Sequence, residues 1–124
     1  MQEIRIGFGQ INPVVGDFAH NSKQILQIMN DAAEMVDLLI FGELALCGYP
    51  LGDLSYRADI ISATQEALEQ VVAESGDPKL ASITVVLGHV SAAATHSDQQ
   101  SSYASAHNSA TVFSGGVVIG RYDK

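Results

Sequence analysis

The stretch Leu38-Leu39-Ile40-Phe41-Gly42-Glu43-Leu44-Ala45-Leu46-Cys47-Gly48-Tyr49-Pro50 decides how this chain folds. Its first four residues are all apolar, the pattern of a strand buried on both faces. Glu43 follows just past the strand, and Gly48-Tyr49-Pro50 turns the chain. A lone acid among Phe, Leu and Ala is costly to bury ionised, and such a setting suits a general base. The plainer alternative is a loop acid that reaches water.

Upstream, Ile4, Ile6 and Phe8 alternate with polar or glycine positions. This period predicts a strand over residues 3–10 with the Ile and Phe side as its better-buried face. Asn12-Pro13 and Gly16-Asp17 are turn chemistry. Ile25, Ile28, Met29, Ala32 and Met35 recur at helical spacing, which predicts a helix over residues 18–35 capped by Asn21 or Ser22. Strand, helix, strand in that order predicts a parallel pair with a right-handed crossover.

Downstream, Ile60, Ile61, Ala63, Thr64, Ala67, Leu68, Val71 and Val72 mark a second helix, ended by Ser75-Gly76-Asp77-Pro78. Residues 83–88, rich in Val and Ile, read as a third strand. Residues 91–102 are rich in Ser, Ala and Gln without periodicity and read as a surface loop. Residues 106–113 and 117–122 read as a hairpin through Ser114-Gly115-Gly116. The βαβαβ order plus a hairpin predicts an α/β layered fold.

The 124 residues suffice for one ordinary core, so residues 1–124 are read as one unit. A 47% hydrophobic and 16% charged composition is that of a globular protein. Six Lys plus Arg against fourteen Asp plus Glu give a net charge of −8, which opposes nucleic acid or an anionic membrane as partner. One cysteine excludes an internal disulfide framework and suits a reducing compartment. With no leader pattern and no spanning apolar run, the cytoplasm is the expected location. The four histidines show no metal-ligand spacing, and Gly115-Gly116 lacks the context of a phosphate cradle.

The segment around Glu43 resembles the glutamate motif of the nitrilase, or carbon–nitrogen hydrolase, superfamily. The resemblance is closest to the glutaminase domains of glutamine-dependent NAD synthetases. It extends through Gln10-Ile11-Asn12-Pro13 and Gly16-Asp17, through Asn21 and Asp53-Leu54, to Gly115-Gly116 and the Tyr122-Asp123-Lys124 ending. It implies an αββα sandwich, of which this chain is expected to hold the N-terminal half. Uncovered sheet surface, and hence a homo-oligomer, follows from that expectation.

The resemblance also implies roles. Glu43 matches the family's general base, and Lys124 its oxyanion-stabilising lysine. Tyr49 matches a position that lines the substrate pocket, though a turn aromatic packed on the core is the alternative. The implied reaction is hydrolysis of glutamine to glutamate and ammonia. The ammonia is passed to the family's own C-terminal domain, which uses ATP and Mg²⁺ to amidate nicotinate adenine dinucleotide. No cofactor is implied for residues 1–124.

Cys47 lies four residues from Glu43, but the family's nucleophilic cysteine falls well beyond the lysine. Cys47 is therefore read as a packed filler, and the chain by itself as inactive. Two departures stand out: Gly42 replaces the proline usual before the glutamate, and His107 replaces an aromatic before Asn108. Two alternatives remain open, a stand-alone nitrilase-type amidase and a non-catalytic α/β domain that binds a partner.

Overall fold

The computed structural model describes residues 2–93 and 105–124. The elements are β1 (Ile6–Gly9), α1 (Phe18–Ala32), β2 (Leu38–Phe41), a 3₁₀ turn (Gly52–Tyr56), α2 (Ala58–Glu74), β3 (Thr84–Ala92), β4 (Ala106–Ser114) and β5 (Val117–Asp123). The strands form one sheet in sequence order. β1, β2 and β3 run parallel; β4 and β5 are antiparallel additions at one side.

One face of the sheet carries the helices. Ile25 and Met29 of α1 and Ala67, Leu68 and Val71 of α2 pack on Leu39, Phe41, Val85, Leu87 and Phe113. Strand register puts Ile6, Phe8, Leu38, Ile40, Val86, Ala110, Val112 and Tyr122 on the opposite face. Among the described residues no layer covers that face, and Phe8 is 78% exposed. The chain thus contributes one α layer and one β layer of the αββα sandwich.

This corrects the reading of β1. Its alternation is real, but Ile4, Ile6 and Phe8 lie on the open face. The glycines take the covered side because it is tight. A Cβ on Gly7 would meet Val36 at 2.9 Å, and one on Gly9 would overlap the Phe41 ring.

The start of α1 also differs. Asp17 is the N-cap, its carboxylate accepting from the His20 N–H. Asn21 sits one turn inside the helix and serves another purpose. The helix ends at Ala32, three residues before Met35. β3 runs past Gly88 to Ala92, so Ser91 belongs to the sheet. Most of the loop expected after it, residues 94–102, lies outside the described residues. At the far end, the Gly115-Gly116 turn docks on the end of α2, where the Gly116 N–H donates to Ser75 Oγ at 2.9 Å.

Candidate active site

The chain leaves the sheet at Gly42 and folds into a tight connection over the middle of β3. The Leu46 N–H donates to the Gly88 carbonyl at 3.2 Å, and the Gly48 N–H to the Leu44 carbonyl at 2.7 Å. Leu44 has a φ of +53°, a left-handed conformation that costs a bulky residue on the order of 1–3 kcal/mol. Its side chain is held there among Cys47, Leu51, Ile61 and Val90. Glu43 therefore precedes a strained residue whose conformation is fixed by burial.

Two glycines allow this connection to sit so close. A Cβ on Gly88 would stand 2.5 Å from the Gly42 carbonyl oxygen and 3.1 Å from Glu43 Cα. Gly48, at φ +95°, passes with a Cβ position 2.5 Å from Val15 Cα. Buried Asn21 ties the two loops together. Its Oδ1 accepts from the Val14 N–H at 2.8 Å; its Nδ2 donates to the carbonyls of Val14 at 2.8 Å and Leu46 at 3.1 Å. The Gly16 N–H adds a bond to the Cys47 carbonyl at 3.0 Å.

From the other side of the site comes β5. The Lys124 N–H donates to the Asn108 carbonyl at 2.9 Å, extending the β4–β5 pairing. Lys124 Nζ then lies 3.6 Å from Glu43 Oε1. Asn108 Nδ2 donates to the same oxygen. Glu43 is 46% and Lys124 74% exposed in their side chains, so the carboxylate is half-open rather than enclosed as the apolar sequence around it suggests. An ion pair this exposed contributes only about 0–1 kcal/mol, so stability is a weak reason for it.

Behind these residues, on the helix-covered face, a polar ladder fixes the strands. Ser91 and Ser109 share a hydrogen bond at 2.7 Å, and Ser109 Oγ donates to Asp123 Oδ1 at 2.6 Å. Arg121 pairs with Asp123 at 3.0 Å. The Ser109 hydroxyl, with Arg121 adding to it, holds the Asp123 carboxyl below the usual carboxylate range. Next in β3, His89 is buried, with Nδ1 donating to the Val90 carbonyl at 3.0 Å and Nε2 accepting from the Thr111 hydroxyl at 2.7 Å.

A groove of about 580 Å³ opens beside Glu43, lined by Phe8, Gln10, Pro13, Ile40 and Glu43 among others. Tyr49 is 62% exposed on its turn and is not among the residues lining this groove. Cys47 is fully buried, its Sγ 3.8 Å from the Leu44 carbonyl, and burial pushes its thiol above the ordinary range. Among the described residues no group of three or more His, Cys, Asp or Glu is placed to hold a metal ion. No helix of the described residues is long and apolar enough to cross a membrane.

Sequence reasoning missed three residues that build this site. Asn108 was visible only as the residue after a departure from the family pattern. Local pattern makes Asn21 a cap candidate and Gly88 the end of a strand. Each acts through a partner between 7 and 65 positions away, which no local pattern reveals.

Comparison with known proteins agrees with this geometry. The carbon–nitrogen hydrolase family model matches residues 5–124. The glutamine-dependent NAD(+) synthetase of Acinetobacter baylyi is 30% identical over 125 residues, covering all of this chain and 20% of that protein. That of Thermotoga maritima is also 30% identical, over all of this chain and 19% of the protein. The chain thus spans about a fifth of the length of these relatives. Among solved structures, the synthetase of Cytophaga hutchinsonii superposes with a TM-score of 0.80 at 26% identity, over 98% of this chain and 19% of that one. An amidase from Nesterenkonia sp. shares the fold at a TM-score of 0.70, over 98% of this chain and 42% of its own. With the family model matching nearly the whole sequence and the sheet superposing on its members, this chain belongs to the carbon–nitrogen hydrolase family.

Proposed function

We propose that residues 1–124 are the front part of a glutaminase domain that hydrolyses glutamine to glutamate and ammonia. The observation that carries this reading is the meeting of Glu43 and Lys124 at 3.6 Å beside a groove, from elements 81 positions apart in sequence. The synthetases matched over the whole chain favour glutamine over another amide.

Glu43 serves as the base. It takes the proton of a cysteine thiol supplied by chain beyond Lys124, and the resulting thiolate forms a bond to the amide carbon. The carbonyl oxygen takes the negative charge and faces the Lys124 ammonium. Collapse breaks the carbon–nitrogen bond, and Glu43 returns its proton to the departing ammonia. Water then attacks the thioester, giving up a proton to Glu43, and the thiol leaves with that proton. Tyr49, which lies outside the groove beside Glu43, is assigned to the glutamine site from the family resemblance alone.

In this reading the ammonia goes to the protein's own C-terminal synthetase domain, where ATP and Mg²⁺ support amidation of nicotinate adenine dinucleotide. The protein acts in the cytoplasm and as a homo-oligomer. Residues 1–124 hold only the buried Cys47 thiol, so they do not turn over glutamine by themselves.

The test is ammonia release from glutamine by residues 1–124 and by the protein of the full reading frame. The expected result is no turnover by the first, turnover by the second, and a loss of at least about 10³-fold on Glu43→Gln. Turnover by residues 1–124 that disappears on Cys47→Ala would overturn the reading.

A further inference from the structure

Asn108 touches both residues of the proposed site, and it does so with different atoms. Its side-chain Nδ2 donates to Glu43 Oε1, while its main-chain carbonyl accepts from the Lys124 N–H at 2.9 Å. Lys124 Nζ also approaches Oε1, at 3.6 Å. The two cationic or donor groups therefore converge on one carboxylate oxygen. Oε2 accepts no hydrogen bond among the described residues.

From this we infer that Asn108 is a positioning residue: it dedicates Oε1 of Glu43 to structure and leaves Oε2 as the oxygen that exchanges protons with the nucleophile. The inference rests on the proposed glutaminase reading and adds to it a division of labour within the carboxylate. A carboxylate held by a single contact rotates and presents either oxygen. With Oε1 held from two directions, rotation costs a charge-assisted hydrogen bond, so the proton-accepting oxygen stays in place.

The strand makes this placement firm. Asn108 is flanked by Ser109, whose hydroxyl is bonded to Ser91 and Asp123. Asp123 in turn precedes Lys124. These contacts lock β3, β4 and β5 in register on the covered face. On the open face, the same register sets the height of Asn108 and Lys124 relative to Glu43.

The role of Asn108 needs an N–H donor and not merely a side chain of that shape. This distinction is testable because Asn108→Asp keeps the shape and removes the donor, whereas Asn108→Ala removes both. If Asn108 only fills space, N108A lowers Tm and leaves kcat near the wild-type value. If it holds Oε1 by donation, the aspartate variant is the more severe, since it sets an acceptor and a second negative charge against Glu43.

The experiment is steady-state glutamine hydrolysis by the full-reading-frame protein, comparing wild type, N108A and N108D, each checked for a cooperative thermal melt. The expected result is a fall in kcat of about 10-fold for N108A and about 100-fold for N108D, with KM for glutamine changed less than about twofold. If N108D matches wild type, or is milder than N108A, the positioning role is overturned while the glutaminase reading stands. If the wild-type protein releases no ammonia, the glutaminase reading fails and the role of Asn108 falls with it. If N108D melts without cooperativity, N108A decides: kcat equal to wild type overturns the role, and a 10-fold fall at unchanged KM supports it.

Discussion

Gly88 and Glu43 meet backbone to backbone, with a Cβ position on Gly88 only 3.1 Å from Glu43 Cα. The same position is 2.5 Å from the Gly42 carbonyl oxygen and 2.8 Å from the Leu44 nitrogen. All three contacts are main chain, so no side chain can rotate away to make room. The loop that carries Glu43 is thus pressed onto β3 at the one residue that has no side chain.

Gly88→Ala should therefore push this loop outward by several tenths of an ångström or more. The displaced group is the proposed base, and small misplacements of such groups are costly in rate. The expected outcome is a fall in kcat for glutamine of about 100-fold in the full-reading-frame protein, together with a lower Tm. Kinetics and a thermal melt on the same preparation check it. A variant with wild-type kcat would show that the loop tolerates the shift.

Asn21 is the corresponding tie on the opposite side of the loop. Its three side-chain bonds reach Val14 and Leu46, and the residue is fully buried. Asn21→Ala leaves one N–H and two carbonyls without that partner. At about 1–3 kcal/mol for an unsatisfied buried group, and with some of the loop free to relax to water, a loss of about 2–4 kcal/mol is expected. Urea unfolding of residues 1–124 measures it. A change below about 1 kcal/mol would mean that the Gly16–Cys47 main-chain bond alone holds the two loops.

His89 sets the pH dependence of stability. Burial holds its pKa below the ordinary 6.5, so the ring is neutral in the folded chain over a range where the unfolded chain is protonated. In that range the unfolded state binds more protons, and stability rises with pH. The contribution is complete above about pH 6.5 and is lost as pH falls from there toward the folded pKa. Asp37, Asp59 and Asp123 have carboxyls held low by hydrogen bonds, with Arg5, Arg57 and Ser109 as the leading partners. Their contributions are lost only at more acid pH, below about 4. Urea midpoints from pH 8 to pH 5 should fall, and His89→Gln should flatten that fall. A wild-type midpoint that stays level across this range would count against a neutral buried His89.

The parts of the fold that were legible in the sequence are those fixed by local pattern. β2 falls on Leu38–Phe41 because four apolar residues bounded by Asp37 and Gly42 can form little else. The hairpin falls where Gly115-Gly116 separates Thr111-Val112-Phe113 from Val117-Val118-Ile119. The face of β1 was not legible, because alternation identifies two faces without saying which one the helices cover. Small residues, Gly7 and Gly9, occupy the tight side, and the large ones lie on the open side. Glu43 and Lys124 could be named from motif alone, but Asn108 could not. A lone asparagine in a mostly small and polar strand carries no periodic signal, and its partner Glu43 lies 65 residues earlier.

Cys47 offers the sharpest separation between nearness in sequence and nearness in chemistry. It stands four residues from Glu43, yet the left-handed turn at Leu44 sends its side chain into the cluster of Leu44, Leu51, Ile61 and Val90. The thiol is fully buried, and loss of solvent pushes its pKa upward, which reduces the thiolate that would react. An aromatic disulfide reagent must wait for the chain to open. At neutral pH the native chain of residues 1–124 should therefore react at least about 100-fold more slowly than the same chain in urea, because reaction is confined to opened molecules. Absorbance of the released thiolate follows both reactions. Reaction at the unfolded rate under native conditions would show the Cys47 thiol to be accessible in the folded chain, and would reopen it as a nucleophile.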